Sequence, residues 1–243
     1  MKKLSTSLLL VLFVSVSAFC QTEEKIKREG VVSGVIFDGD KAIEGYFKKR
    51  GTVYSEGKAF DAPWQFQGKM KFIEKDVFEK AEKVKNKLYD SYEAKDCSGF
   101  KYDTLTYESV KYADMSAVGM DMLPKKMFMR VVSEDKISLF HYFASPPSVV
   151  SGSEGFEPYY IDCAKPNWVY RVGEAGKLKL VNDMNITKEL VDCPMVVEKQ
   201  EKGEYQVVES NEEASGGNKF LNNMMFKEQV RMMAIEDYNA NCE

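Results

Sequence analysis

Residues 31–47 read Val-Val-Ser-Gly-Val-Ile-Phe-Asp-Gly-Asp-Lys-Ala-Ile-Glu-Gly-Tyr-Phe. Two β-branched and aromatic runs, 31–37 and 43–47, flank Asp38-Gly39-Asp40, so the segment reads as a β-hairpin. The same pattern recurs down the chain. Phe128–Val132 and Ile137–Phe143 flank Ser133-Glu134-Asp135-Lys136, and Trp168–Val172 and Leu178–Val181 flank Gly173-Glu174-Ala175-Gly176. Tyr102, Leu105, Tyr107, Val110 and Tyr112 add strand material after the Cys97-Ser98-Gly99 turn. Short strands between Gly-containing turns predict an antiparallel β-domain over 21–184, its strands running from about residue 30 to 182.

Other stretches depart from this period. Val77, Ala81, Val84 and Leu88 recur at spacings of three and four, which predicts a short amphipathic helix over 74–87. Residues 145–158, rich in Ser, Pro and Gly, read as a surface loop. After residue 185, Thr187 is placed to cap a short helix, Pro194 to sit in a first turn and Gly203 to end the helix begun there. An acidic loop is expected over 209–218. Phe220, Leu221, Met224, Met225, Val230, Met233 and Tyr238 then mark a helix whose apolar face packs on the β-domain. The expected fold is α+β: an antiparallel β-sandwich or incomplete β-barrel with a C-terminal helical segment over 185–243.

The N-terminus carries a different signal. Met1-Lys2-Lys3, an apolar run from Leu8 to Val16, and Ser17-Ala18-Phe19-Cys20-Gln21 form the pattern of a secretory signal peptide over 1–20. The run falls short of the roughly 20 apolar residues that span a bilayer. Cleavage after Cys20 would leave Gln21 first. The competing reading is a lipoprotein anchored at Cys20, against which stands the bulky Phe19 just before the cysteine. Without 1–20 the chain keeps 32 basic against 38 acidic residues, a net charge of −6. That balance argues against nucleic acid or an anionic membrane as the main partner. The expected location is exported, periplasmic or extracellular, with no membrane-spanning segment in the mature chain.

Cys97, Cys163, Cys193 and Cys242 then remain. Four cysteines in an exported protein predict two disulfides, with three connectivities open. Cys193 begins and Cys242 follows the helical region, so a bridge between them would tie down the C-terminus. Cys97 and Cys163 then pair by elimination. The absence of C-x-x-C spacing argues against a zinc site.

Several short motifs occur in a set order: the hairpin from Gly34 to Gly45, Asp96-Cys97-Ser98-Gly99-Phe100, the strand Thr106 to Tyr112, and Ile-Ser-Leu-Phe at 137–140. Asp192-Cys193-Pro194 and a closing Tyr238-Asn239 with a final cysteine complete the series. This order resembles a loosely defined group of exported proteins of unknown function from the phylum Bacteroidota. The resemblance implies export, a β-rich N-terminal part and a helical C-terminal part. It also favours the Cys193–Cys242 pairing, and it carries no activity.

Candidate chemistry is sparse. His141 is the single histidine and lies in a predicted strand, where a hydrogen-bonded structural role is the simpler reading. Ser55-Glu56-Gly57-Lys58 and Ser133-Glu134-Asp135-Lys136 match S-x-x-K but fall in turns and lack the partner motifs. Asp38-Gly39-Asp40 lacks the remaining ligands of a calcium loop. Met115, Met120, Met122, Met127 and Met129 crowd one segment, and thioethers suit Cu(I). The M-x-M spacing of Met120/Met122 and Met127/Met129 puts each pair on one strand face, with His141 expected on the neighbouring strand. Ordinary core packing is the competing reading of those methionines. Trp64, Trp168 and Tyr159-Tyr160 offer a stacking surface for a glycan or a protein, or plain core.

The leading expectation is a non-enzymatic binding or structural protein of the cell envelope, with no cofactor, no nucleic-acid partner and an unidentified protein or glycan partner. Its rivals are a Cu(I) protein using Met120, Met122, Met127, Met129 and His141, and a hydrolase built on a carboxylate pair.

Overall fold

The computed structural model describes residues 22–49, 52–55, 58–113, 123–144, 157–205 and 216–242. The chain is α+β, with antiparallel strands that do not close into a barrel and helices at the C-terminal end, as expected. It divides into two compact units, Met1–Phe128 with Ser145–Ala164, and Met129–Ala144 with Lys165–Glu243. The division falls inside the strand region, so the last strands belong with the C-terminal helices.

The first unit begins with a helix over 22–29, α1. Its strands are β1 (Val31–Asp38), β2 (Lys41–Lys48), β5 (Met70–Glu74), β6 (Asp90–Tyr92), β7 (Gly99–Tyr102) and β8 (Leu105–Tyr112), in the spatial order β8-β7-β1-β2-β5-β6. A separate ribbon pairs β3 (Thr52–Ser55) with β4 (Lys58–Asp61). The β1–β2 hairpin has the expected register, Asp38 opposite Lys41, and Gly39 supplies the positive φ that the turn needs.

Both faces of β2 are buried. Alternation sends Phe47 to one face, where it joins Ile36, Phe72, Phe100, Tyr102, Tyr107 and Phe128. Phe100 stacks on Tyr107 at 4.5 Å and meets Phe128 edge-on at 5.0 Å, both favoured aromatic geometries. Gly34 and Gly45 face each other across the hairpin, and a side chain at either would strike the ring of Phe47 or Phe72. Their lack of Cβ is what lets the rings lie over the strands.

The other face carries Val31, Tyr46 and Ile73, covered by Phe78 of α2 (Lys75–Lys80) and by Ile26 of α1. The expected helix over 74–87 is thus six residues long. Phe78 is its buried residue, whereas Val77 is 42% exposed. Lys25 caps the short helix: its ammonium donates to the carbonyls of Phe78 at 2.5 Å and Ala81 at 2.6 Å, satisfying acceptors left open at the helix end. Glu157–Ala164 forms α3, so the expected loop over 145–158 ends in helix; residues 145–156 lie outside the described residues.

The second unit holds the rest of β9 (Lys125–Ser133), then β10 (Ile137–Tyr142), β11 (Asn167–Val172) and β12 (Lys179–Leu180), in the order β12-β11-β10-β9. Its helices are α4 (Ile186–Glu189), α5 (Pro194–Glu201) and α6 (Gly216–Asn241). Asn185, not Thr187, caps α4, its side chain accepting from the Lys188 amide at 3.2 Å. Pro194 opens α5, and Gly203 lies just past its end with φ of +69°. Ala234, Ile235 and Tyr238 of α6 fall on one stripe and are buried against Ile137, Leu139 and Tyr170. Met233 lies off that stripe and is 38% exposed. Phe220, Leu221, Met224 and Met225 have side chains outside the described set.

Candidate functional site

The expected soft-metal ligands are placed as follows. Met115, Met120 and Met122 lie outside the described residues. Met127 and Met129 alternate along β9 and are both buried. His141 pairs with Arg130 on β9 and Trp168 on β11. Residues directly opposite share a face, so His141 sides with Arg130 and away from Met129. Its ring meets Trp168 edge-on at 4.3 Å, and both ring nitrogens are buried without a hydrogen-bond partner. Burial, then the charge of Arg130, pushes its pKa down to about 4, so the ring is neutral at pH 7. Among the described residues no three His, Cys, Asp or Glu side chains gather as a metal site.

The structure joins Cys193 to Cys242, with Cα atoms 5.7 Å apart. The second expected bridge is corrected: Cys97 and Cys163 are buried thiols and are not bonded to each other. Pairing by elimination carries no information on Cα separation, which a disulfide restricts tightly. Cys97 sits in the aromatic core, where burial pushes its thiol pKa up. Trp64 lies in the 3₁₀ turn Pro63–Phe66, Trp168 packs on the second core, and the side chains of Tyr159 and Tyr160 are outside the described set.

Three tyrosine–carboxylate pairs stand in the second unit. Tyr170 donates to Glu189 at 2.6 Å, Tyr205 to Asp237 at 2.9 Å and Tyr238 to Asp192 at 2.5 Å. Burial pushes Glu189 up, but donation from Lys179, Tyr170 and the Asn185 amide outweighs it and holds the carboxyl below its usual range. Lys199 does the same for Asp237. These groups are engaged in holding helices to strands and to one another. Glu228 is the reverse case: burial raises its pKa, although Asn182 donates to it at 3.2 Å.

Beside these pairs lies a partly open cavity of about 430 Å³, the size of small-ligand sites. One wall is the entry to α4. Asn185 accepts there from Thr187 Oγ1 at 3.0 Å, and its own amide donates to Glu189 at 3.1 Å, so Met184–Thr187 is fixed in place. The opposite wall is α6. Phe226 and Val230 are four residues apart, as are Lys227 and Arg231, giving an apolar ladder beside a cationic one. Arg231 Nε donates to the Met184 carbonyl at 2.8 Å and ties the walls together. Gln200 from α5 completes the lining, and its Oε1 is buried without a hydrogen-bond partner. Among the described residues the lining contains two cations and no acid.

This site is hidden in the sequence because its walls come from 184–187, 200 and 226–231. The one local signal is the paired spacing Phe226/Val230 and Lys227/Arg231. In comparisons with known proteins, no family model, no curated protein and no solved structure matches the chain.

Proposed function

We propose that this is an exported, non-enzymatic binding protein of the cell envelope, and that it holds a small ligand in the cavity between α4, α5 and α6. The observation that carries this reading is the cavity itself: an apolar floor from Met184, Ile186, Phe226 and Val230 under a few polar groups with fixed positions. Such a lining supplies burial and orientation. Export is supported by the Lys2-Lys3 start, the apolar run to Val16 and the small residues before Gln21. The resemblance to exported Bacteroidota proteins adds to it.

Native mass spectrometry of the protein purified from its own envelope fraction tests both parts. The expected result is a chain beginning at Gln21 that carries a small non-covalent adduct, lost in a Val230→Trp variant that fills the cavity. A chain retaining Met1 contradicts export. An adduct untouched by Val230→Trp, or none at all, contradicts the site.

A further inference from the structure

We infer that the ligand of this cavity is a small amphipathic carboxylate, its charged end set against Lys227 and Arg231 and its apolar body over Ile186, Phe226 and Val230. The inference rests on the binding role proposed above and adds the chemical class.

Charge is the first argument. The whole chain carries a net charge of −4, yet the described lining holds two cations one helical turn apart and no acid. Among the described residues Lys227 forms no ion pair. Arg231 commits Nε to the Met184 carbonyl, which orients the guanidinium, and among the described residues no carboxylate pairs with it, so its planar fork suits a carboxylate. Glu228 is held by Asn182 and Glu189 by Lys179 and Tyr170, and Asp183 and Glu201, which adjoin Met184 and Gln200 in sequence, are not part of the lining.

Shape gives the second. The Phe226–Val230 ladder runs alongside the Lys227–Arg231 ladder on the same helix, so a ligand lying on both must be charged on one side and apolar on the other. The third is the buried Gln200 Oε1. An acceptor without a donor is costly in a protein interior, and a ligand hydroxyl or amide N–H would satisfy it. A hydroxylated carboxylate therefore suits the site better than a plain one.

Isothermal titration of the mature, disulfide-bonded chain separates these points. Octanoate, 3-hydroxyoctanoate, octan-1-ol and octylamine share one apolar body and differ in the polar end. Both carboxylates should bind, the alcohol at least about tenfold more weakly and the amine not measurably. Lys227→Gln, at an exposed position, should weaken octanoate about tenfold and leave octanol unchanged. Gln200→Leu should remove the advantage of 3-hydroxyoctanoate over octanoate. Equal binding of octanol and octanoate, or indifference to Lys227→Gln, overturns the carboxylate assignment while the cavity remains a binding site. If no probe binds but the native adduct is still lost in Val230→Trp, the class is wrong and the site stands. If neither is seen, both readings fall.

Discussion

Asn239 of α6 holds Ile137 of β10 with both ends of its side-chain amide: Oδ1 accepts from the Ile137 amide at 2.8 Å, and Nδ2 donates to the Ile137 carbonyl at 3.0 Å. The pair acts as a piece of backbone ladder supplied by a helix. It fixes where α6 lies on β10, and with it the position of the residues about two to four turns earlier that line the cavity.

Replacing Asn239 with Ala leaves a buried strand N–H and C=O without these partners. The expected cost is about 2 kcal/mol of folding stability, read as a lower urea midpoint at unchanged slope. Asn239→Asp should also destabilise, because it keeps the acceptor and loses the donor to the Ile137 carbonyl.

The Cys193–Cys242 bridge closes a loop of sequence separation 49 that contains α5 and α6. In the chain-entropy account such a loop is worth about 4 kcal/mol. A double Cys193→Ser, Cys242→Ser variant should lose stability of that order, and reductant should then have no further effect on the unfolding midpoint. Loss of the bridge without a stability change would show that the packing and hydrogen bonds of α6 hold it without the bridge.

His141 gives the protein a pH dependence of defined sign. Its folded pKa is about 4 against an ordinary value of 6.5, so in that window the unfolded chain binds the extra proton. Stability is full above about pH 6.5 and falls on acidification, by up to about 1.4 kcal/mol per unit. Glu189 and Asp237, whose pKa values are lowered, contribute only at more acidic pH, below their ordinary carboxylate values. A His141→Phe variant should therefore abolish the loss of stability on acidification between pH 6.5 and 4 and leave the more acidic limb in place. What it leaves in that window is the opposite trend from Glu228, whose raised pKa makes the folded chain hold its proton above the ordinary carboxylate value.

The hairpins were legible in the sequence because their determinants are local: alternation, and a glycine such as Gly39 at the turn. Helix α5 was legible for the same reason, through Pro194 and Gly203. The Cys193–Cys242 bridge could be read from chain order, since the two cysteines bracket the helices. What was not legible depends on distant partners. The α2 pattern points to Val77 and Ala81, but Phe78 finds Tyr46, and Lys25 from α1 caps the helix at its carbonyls. Helix α1 offers a single apolar residue, Ile26, so no periodicity announces it. The expected neighbourhood of His141 and the methionine pairs assumed adjacent strands with matching faces. The register turns His141 toward Arg130 instead. The cavity needs three separate segments, and only the Phe226/Val230 and Lys227/Arg231 spacings hint at it.

The central claim is that the α4–α5–α6 cavity is where this protein meets its ligand. Backbone amide NMR of the mature protein titrated with octanoate tests it most directly. Saturable shifts at residues 184–187, 200 and 226–231, abolished by Val230→Trp, are the predicted result. Saturable shifts centred in the first unit, or on β10 and β11 around His141 and Trp168, would contradict the account.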